Sequence, residues 1–160
     1  MLEGLQPHPN IRSLEIENYQ GDEFPPWLLM PILNNLVVLK LKGYEKCKKL
    51  PTAGHLSRLK ILEIEGMDGV KIIGDEYYSG GRSGTDPIFP ALERLSLVKM
   101  KSFVEWKVPQ GGGGDAVVVL PCLEEFYIMG YPQLKSILVT IHLSPSKYLD
   151  LHEPHPVSLS

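Results

Sequence analysis

From Leu59 to Ile73 the chain reads LKILEIEGMDGVKII, and its apolar residues fall at Leu59, Leu62, Ile64, Met67, Val70 and Ile73. The first step is three residues, the second two, and the rest three. A helix presents one face every three or four residues and a half-buried strand every two, so neither element alone accounts for the run. A short strand entered and left through tight turns does. Such a unit is one turn of a coil, and a single turn cannot bury its own apolar edge; it needs neighbours built the same way.

The neighbours are present. The frame fits Ile11-Leu14-Ile16, Leu36-Leu39-Leu41, Leu92-Leu95-Leu97 and Leu123-Phe126-Ile128, each followed three residues on by Tyr19, Tyr44, Met100 or Tyr131. Further steps of three reach Cys47 and Leu50, Phe103 and Trp106, and Leu134 and Ile137, matching Val70 and Ile73. Only the first copy slips. Asp22 and Pro25 stand at its corresponding places, so Phe24 and Trp27 are expected to reach the core instead. The spacing L-x-x-L-x-L-x-x-N/C-x-L is that of leucine-rich repeats. It predicts an α/β-type solenoid of about five repeats, with short parallel β-strands on a concave face and mostly irregular or short helical returns on the convex side.

The strand residues Leu14, Leu39, Leu62, Leu95 and Phe126 stand 25, 23, 33 and 31 residues apart, and the last two intervals exceed the usual leucine-rich period. The excess must leave the coil as loops. Residues 74–87 (GDEYYSGGRSGTDP) and 107–115 (KVPQGGGGD) have the Gly-rich, polar composition that cannot bury enough surface to order itself. Pro9, Pro51, Pro90 and Pro121 fall in the turns before strands, where a missing N–H is tolerated. The array is thus expected over residues 1–138. Residues 139–160 are expected to be a degenerate repeat or irregular tail, with Ile141-His142-Leu143 and Leu149-Asp150-Leu151 as the two candidates for a decayed strand. The first repeat begins almost at Met1 with no cap before it, so the chain is expected to be a piece of a longer protein.

Composition narrows the function classes. The net charge of -3 offers no basic field for nucleic acid, and no apolar run or basic amphipathic segment suits a membrane. Neither a positive n-region nor an apolar h-region opens the chain. Two cysteines, Cys47 and Cys122, make neither a disulfide framework nor a metal knuckle, and no Asn-x-Ser/Thr acceptor occurs. Together these favour a reducing, intracellular setting.

The same sparseness argues against an enzyme. His152 and His155 are three apart with Pro154 between them, whereas a zinc helix needs histidines four apart on one face. Neither GGRSG nor GGGG carries the lysine and hydroxyl of a phosphate-binding loop. Cys47 falls in register with Val70, Phe103 and Leu134, as a core residue does, and Cys122 sits beside Pro121 with no basic partner in sequence. Trp27 and Trp106 are placed by the frame in the core. No catalytic, cofactor-binding or metal-binding residue is expected.

A binding surface is expected on the concave face. Between the strand apolars the first three repeats carry Glu15, Lys40 and Glu63, and two residues on Glu17, Lys42 and Glu65, two ladders of alternating sign that can pair among themselves. In the last two repeats the rows become Ser96 and Tyr127, and Val98 and Met129. There the face turns apolar and aromatic. With Arg94 and Glu125 at its rim, the block Arg94, Ser96, Val98, Glu125, Tyr127 and Met129 is the predicted partner-binding patch.

The runs FPPWL (24–28), LPTAGHL (50–56), EGMDGVKIIGDEYY (65–78), FPALE (89–93) with VEW (104–106), and PCLEE (121–125) resemble the leucine-rich region of plant nucleotide-binding disease-resistance proteins of the coiled-coil class. The likeness covers about residues 2–138. It implies a cytoplasmic immune receptor whose leucine-rich arm takes part in recognising a pathogen effector, directly or through a guarded host protein, and restrains the nucleotide-binding module. Any ADP or ATP would belong to that module, whose phosphate-binding loop this chain lacks. The place that other leucine-rich proteins give to asparagine is Tyr19, Tyr44, Met67, Met100 and Tyr131, so the turns must be held by packing and backbone bonds. Ala53 and Ser57 depart from the family's usual Leu and Pro. The alternative is a substrate-recruiting leucine-rich adaptor of a ubiquitin ligase, which would need a helical hook on the N-terminal side. A surface-receptor ectodomain would predict glycosylation acceptors and paired capping cysteines instead.

Overall fold

A computed structural model describes residues 7–29, 33–50, 56–73, 89–106, 121–129 and 148–152. Five strands of five residues lie where the frame puts them: β1 (Ser13–Glu17), β2 (Val38–Lys42), β3 (Ile61–Glu65), β5 (Arg94–Val98) and β7 (Glu125–Met129). All pair in parallel in sequence order, and β8 (Tyr148–His152) adds a sixth at the far edge. That strand contains the second candidate of the C-terminal segment, Leu149-Asp150-Leu151; the first, at 141–143, lies outside the described residues. Register is uniform across the sheet. Leu14, Leu39, Leu62, Leu95, Phe126 and Leu149 stand in one row and Ile16, Leu41, Ile64, Leu97, Ile128 and Leu151 in the next.

The rhythm of three has a backbone cause. Before β1, β2, β3 and β5 a turn closes by an i+3 to i hydrogen bond: Ile11 N–H to His8 O, Leu36 to Leu33, Leu59 to Leu56 and Leu92 to Phe89. After it, Cys47 donates to Tyr44, Val70 to Met67 and Phe103 to Met100. Residues at the two ends of such a turn lie on the same side, so both can face the core. The result is a stacked interior of Leu33, Leu36, Leu39, Leu41, Tyr44 and Cys47 over Leu56, Leu59, Leu62, Ile64, Met67 and Val70, over Phe89, Leu92, Leu95, Leu97, Met100 and Phe103, all essentially inaccessible to solvent. The frame therefore begins one step earlier than the strand pattern alone reveals, at Leu33, Leu56 and Phe89.

Two further devices lock one coil to the next. The carbonyl just before β1, β2, β3 and β5 accepts two amides from the following repeat: Arg12 O from Val37 and Val38, Val37 O from Lys60 and Ile61, Lys60 O from Glu93 and Arg94, and Glu93 O from Glu124 and Glu125. The residue just after β1, β2, β3 and β5 turns left-handed, with φ of 55° at Asn18, 73° at Gly43, 72° at Gly66 and 54° at Lys99. Asn18, Gly43 and Gly66 each donate their amide to the last carbonyl of the next strand, at 2.8, 2.9 and 3.0 Å. Backbone bonds thus do the work that an asparagine ladder does elsewhere.

The first coil follows its own path. Phe24 and Trp27 are buried and Asp22 is exposed, but Pro25 is buried beside them, and among the described residues the return carries one short helix, α1 (Pro26–Leu29). Phe24 stacks on Tyr44 with ring centroids 4.9 Å apart. On the return side β4 (Ile72–Ile73) pairs in parallel with β6 (Glu105–Trp106). The insertions at 74–87 and 107–115, with Pro51, Ala53, Tyr131, Leu134 and Ile137, lie outside the described residues.

Candidate functional site: the concave face

Alternation within each strand fixes what the sheet presents. β2 and β3 show buried residues at their second and fourth positions and half-buried ones at the first, third and fifth. The outward rows are Ser13, Val38, Ile61, Arg94 and Glu125; Glu15, Lys40, Glu63, Ser96 and Tyr127; and Glu17, Lys42, Glu65 and Val98, with Met129, Tyr148, Asp150 and His152 continuing them in backbone register. Rows of this kind, with strands ~4.8 Å apart, form a continuous surface.

On the first three strands the charges pair with one another. Lys40 Nζ lies 3.3 Å from Glu63 Oε2, and Lys42 Nζ bonds Glu15 Oε1 at 2.8 Å while standing 3.6 Å from Glu17. The shorter contact of Lys42 is the diagonal one. Its hydrogen bond to Glu15 holds the Glu15 carboxyl below its ordinary value and raises the Lys42 ammonium. Glu65 is taken by Lys99 at 3.1 Å, from the turn after β5. Exposed pairs like these fix side-chain positions more than they stabilise the chain.

The predicted patch is assembled as a block two strands wide. Arg94 stands opposite Glu125, Ser96 opposite Tyr127 and Val98 opposite Met129. Arg94 Nε donates to Glu125 Oε2 at 2.6 Å, and the Tyr127 hydroxyl donates to the same oxygen at 3.1 Å. Those two donors, Arg94 first, hold the Glu125 carboxyl below its ordinary range, and Glu125 in turn raises Arg94. The rim residues are thus tied to each other and to the aromatic between them. Val98 and Tyr127 are half-buried rather than open, because neighbouring strands crowd them and Tyr127 leans onto Glu125. Met129 is positioned by its backbone register.

Two residues of this surface escape the reading of the ladders. Val38 and Ile61 occupy the first outward row, half-buried and in register with Arg94. The same alternation that places Lys40 and Glu63 outward places them there too. A polar ladder also escapes it: Asn35 Nδ2 donates to Asn10 Oδ1 at 3.1 Å, and Arg58 donates to Asn35 Oδ1 at 2.9 Å, all three from the turns before the strands. Their matching offset from the strand leucines is the signal.

The remaining candidates sort simply. Cys47 is fully buried, its thiol donating to the Gly21 carbonyl at 3.4 Å; burial, then Asp22 and Glu23, push its pKa up to about 11. Cys122 is exposed in the turn before β7. Among the described residues no group of His, Cys, Asp and Glu could hold a metal ion, and no helix is long and apolar enough to cross a membrane.

Parallel strands in unbroken register, joined by paired turns, define a leucine-rich repeat coil. Residues 1–67 match the family model described as R13L1/DRL21 leucine-rich repeats. Over 97% of its length the chain is 31% identical to the disease resistance RPP13-like protein 1 of Arabidopsis thaliana, and over 95% it is 30% identical to the disease resistance protein RGA4 of Solanum bulbocastanum. It is also similar to disease resistance protein RGA2 of Solanum bulbocastanum, at 31% over 61% of the chain. These matches span only 15%, 14% and 10% of the respective relatives. No solved structure gives a significant match. The chain is a leucine-rich repeat region of the plant nucleotide-binding disease-resistance type.

Proposed function

We propose that this array is the protein-interaction module of a cytoplasmic plant immune receptor, taking part in recognition of a pathogen effector or of a host protein the effector modifies. It also restrains a nucleotide-binding module, where any ADP or ATP is held; this chain supplies binding rather than catalysis. The observation that carries the reading is the in-register concave block Arg94, Ser96, Val98, Glu125, Tyr127 and Met129, where paired charges give way to apolar and aromatic residues, Val98 and Tyr127 half-buried. Aromatic and apolar residues framed by a fixed Arg–carboxylate pair suit a protein partner, which gains by desolvating the centre while the rim sets register.

Doubly substituting Tyr127→Asp and Met129→Asp in a full-length receptor carrying these repeats tests it. Partner capture and the pathogen-triggered response are expected to be lost, with abundance and the hydrogen-exchange protection of β3 and β5 unchanged. Undiminished capture would reject the concave block as the contact surface.

A further inference from the structure

The edge by which the chain enters its strands is divided by charge. In coils one to three it is made of residues 7–14, 33–39 and 56–62, and these segments contain no carboxylate at all. They carry Arg12, Arg58 and Lys60 with Asn10, Asn34, Asn35, Ser13 and Ser57. In coils four and five the same edge carries Glu93, Glu124 and Glu125 against a single cation, Arg94, which is bonded to Glu125. The net charge of -3 hides this separation.

The basic half is ordered. Asn10 Oδ1 accepts from Asn35 Nδ2 at 3.1 Å, and Asn35 Oδ1 accepts from Arg58 at 2.9 Å, so a chain of side-chain bonds across three coils orients the guanidinium. Asn10 is itself fixed by its amide, which donates to His8 Nδ1 at 3.1 Å. Arg12 and Arg58 are exposed, and among the described residues neither forms an ion pair; Lys60 reaches Glu93 only at 3.8 Å. Elsewhere on the sheet Lys40, Lys42, Arg94 and Lys99 each hold a carboxylate. Two arginines left without one, one of them held in place by amides, form a prepared site for carboxylates, which the guanidinium fork binds in paired fashion.

We propose that the strand-entry edge of coils one to three is a docking surface for an acidic, extended polypeptide segment. Its carboxylates engage Arg58, Arg12 and Lys60, while the side-chain amides bond its backbone. Glu93, Glu124 and Glu125 repel the segment from coils four and five and so set where it stops. This surface adjoins the concave block at Arg94 and Glu125.

The test uses the full chain and a fluorescent peptide of about eight residues alternating Glu and Gly, long enough to cross three rungs ~4.8 Å apart at ~3.3 Å per residue. Binding followed by anisotropy is expected to weaken with salt and to fall about tenfold or more in Arg58→Glu, as for charge reversal at a specific contact. Asn35→Leu keeps the charge but frees the guanidinium, and is expected to lose about threefold. Lys48→Glu, an equal charge change at an exposed site after the strand, is expected to leave binding unchanged. Equal losses in Arg58→Glu and Lys48→Glu would reduce the effect to net charge and overturn the proposal. So would absence of binding, or tighter binding of a single-stranded RNA of the same length.

Discussion

Gly69 lies so close to the Cys47 carbonyl that a β-carbon on it would stand 2.7 Å from that oxygen. The contact joins the descending turns of coils two and three and gives the segment from Gly66 to Val70 a physical reading. Gly66 supplies the left-handed turn, Met67 and Val70 the core, and Asp68 Oδ1 accepts the Lys101 amide at 3.3 Å in the coil below. Gly69→Ala is therefore expected to push the two coils apart and destabilise the chain by about 1–3 kcal/mol, the range for overpacking against a backbone that cannot move freely. Urea unfolding of the two chains measures it; an unchanged midpoint would show that the coils separate without cost.

The left-handed residue after each strand makes a second, signed prediction. Gly43→Ala combines a φ of 73° with a β-carbon 2.7 Å from Asn18 Oδ1, and is expected to cost about 1–2 kcal/mol. Lys99→Gly runs the other way. It places glycine where Lys99 holds a φ of 54°, at the loss of an exposed ion pair to Glu65, and is expected to raise stability by up to ~1 kcal/mol. The same unfolding measurement reports both, and equal signs would sink the argument.

Those two positions also mark what a single sequence reveals of this fold. The strand leucines, the slip at Asp22, and the burial of Phe24, Trp27 and Cys47 are legible because each follows from a core that accepts side chains at fixed steps; the burial of Pro25 beside them is not. Partner choice within the charged rows is not, since Lys42 takes the diagonal Glu15 over the directly opposed Glu17, and side-chain reach decides that. Nor is the left-handed φ of 50° at Phe89 legible, because nothing in an aromatic residue announces it. The six-residue block on the concave face was readable as a set of positions; the common carboxylate oxygen that ties Arg94 and Tyr127 to Glu125 was not.

Acid should loosen that tie. Glu125 titrates below its ordinary value of 4.5 when folded, so its contribution is complete above that value and is lost as the pH falls through the lower, folded one. Glu15 behaves alike through Lys42. Below pH 4.5 the chain is expected to lose stability, and Glu125→Gln, which cannot titrate, is expected to flatten part of that loss. Parallel stability–pH curves for the two chains would remove Glu125 from the account.

The two thiols should differ by accessibility. Cys47 is buried and its pKa is raised to about 11, whereas Cys122 is exposed. A disulfide reagent at pH 8 is expected to modify one cysteine quickly and the other only on unfolding, since attack needs an accessible thiolate. Replacing Cys122 with Ser should remove the fast phase entirely; a fast phase that survives would mean that the turn from Tyr44 to Cys47 opens in the native state.

Tyr44 carries the last prediction, and its sign runs against the usual rule for core residues. Its ring is fully buried, stacked on Phe24 and tilted 45° to Tyr19, yet its hydroxyl is the single buried side-chain oxygen or nitrogen among the described residues with no hydrogen-bond partner. Burial pushes its pKa up, which reflects the same lack of solvation. Keeping a hydroxyl unsatisfied in the core costs about 1–3 kcal/mol, and removing it leaves the ring contacts in place. Tyr44→Phe is accordingly expected to stabilise the chain by about 1 kcal/mol, the remainder being offset by the small void the oxygen leaves. Thermal and urea unfolding measure the change directly. A loss of stability would mean that the hydroxyl finds a partner in solution, and an ordered water between Tyr44 and Tyr19 would then be the first place to look.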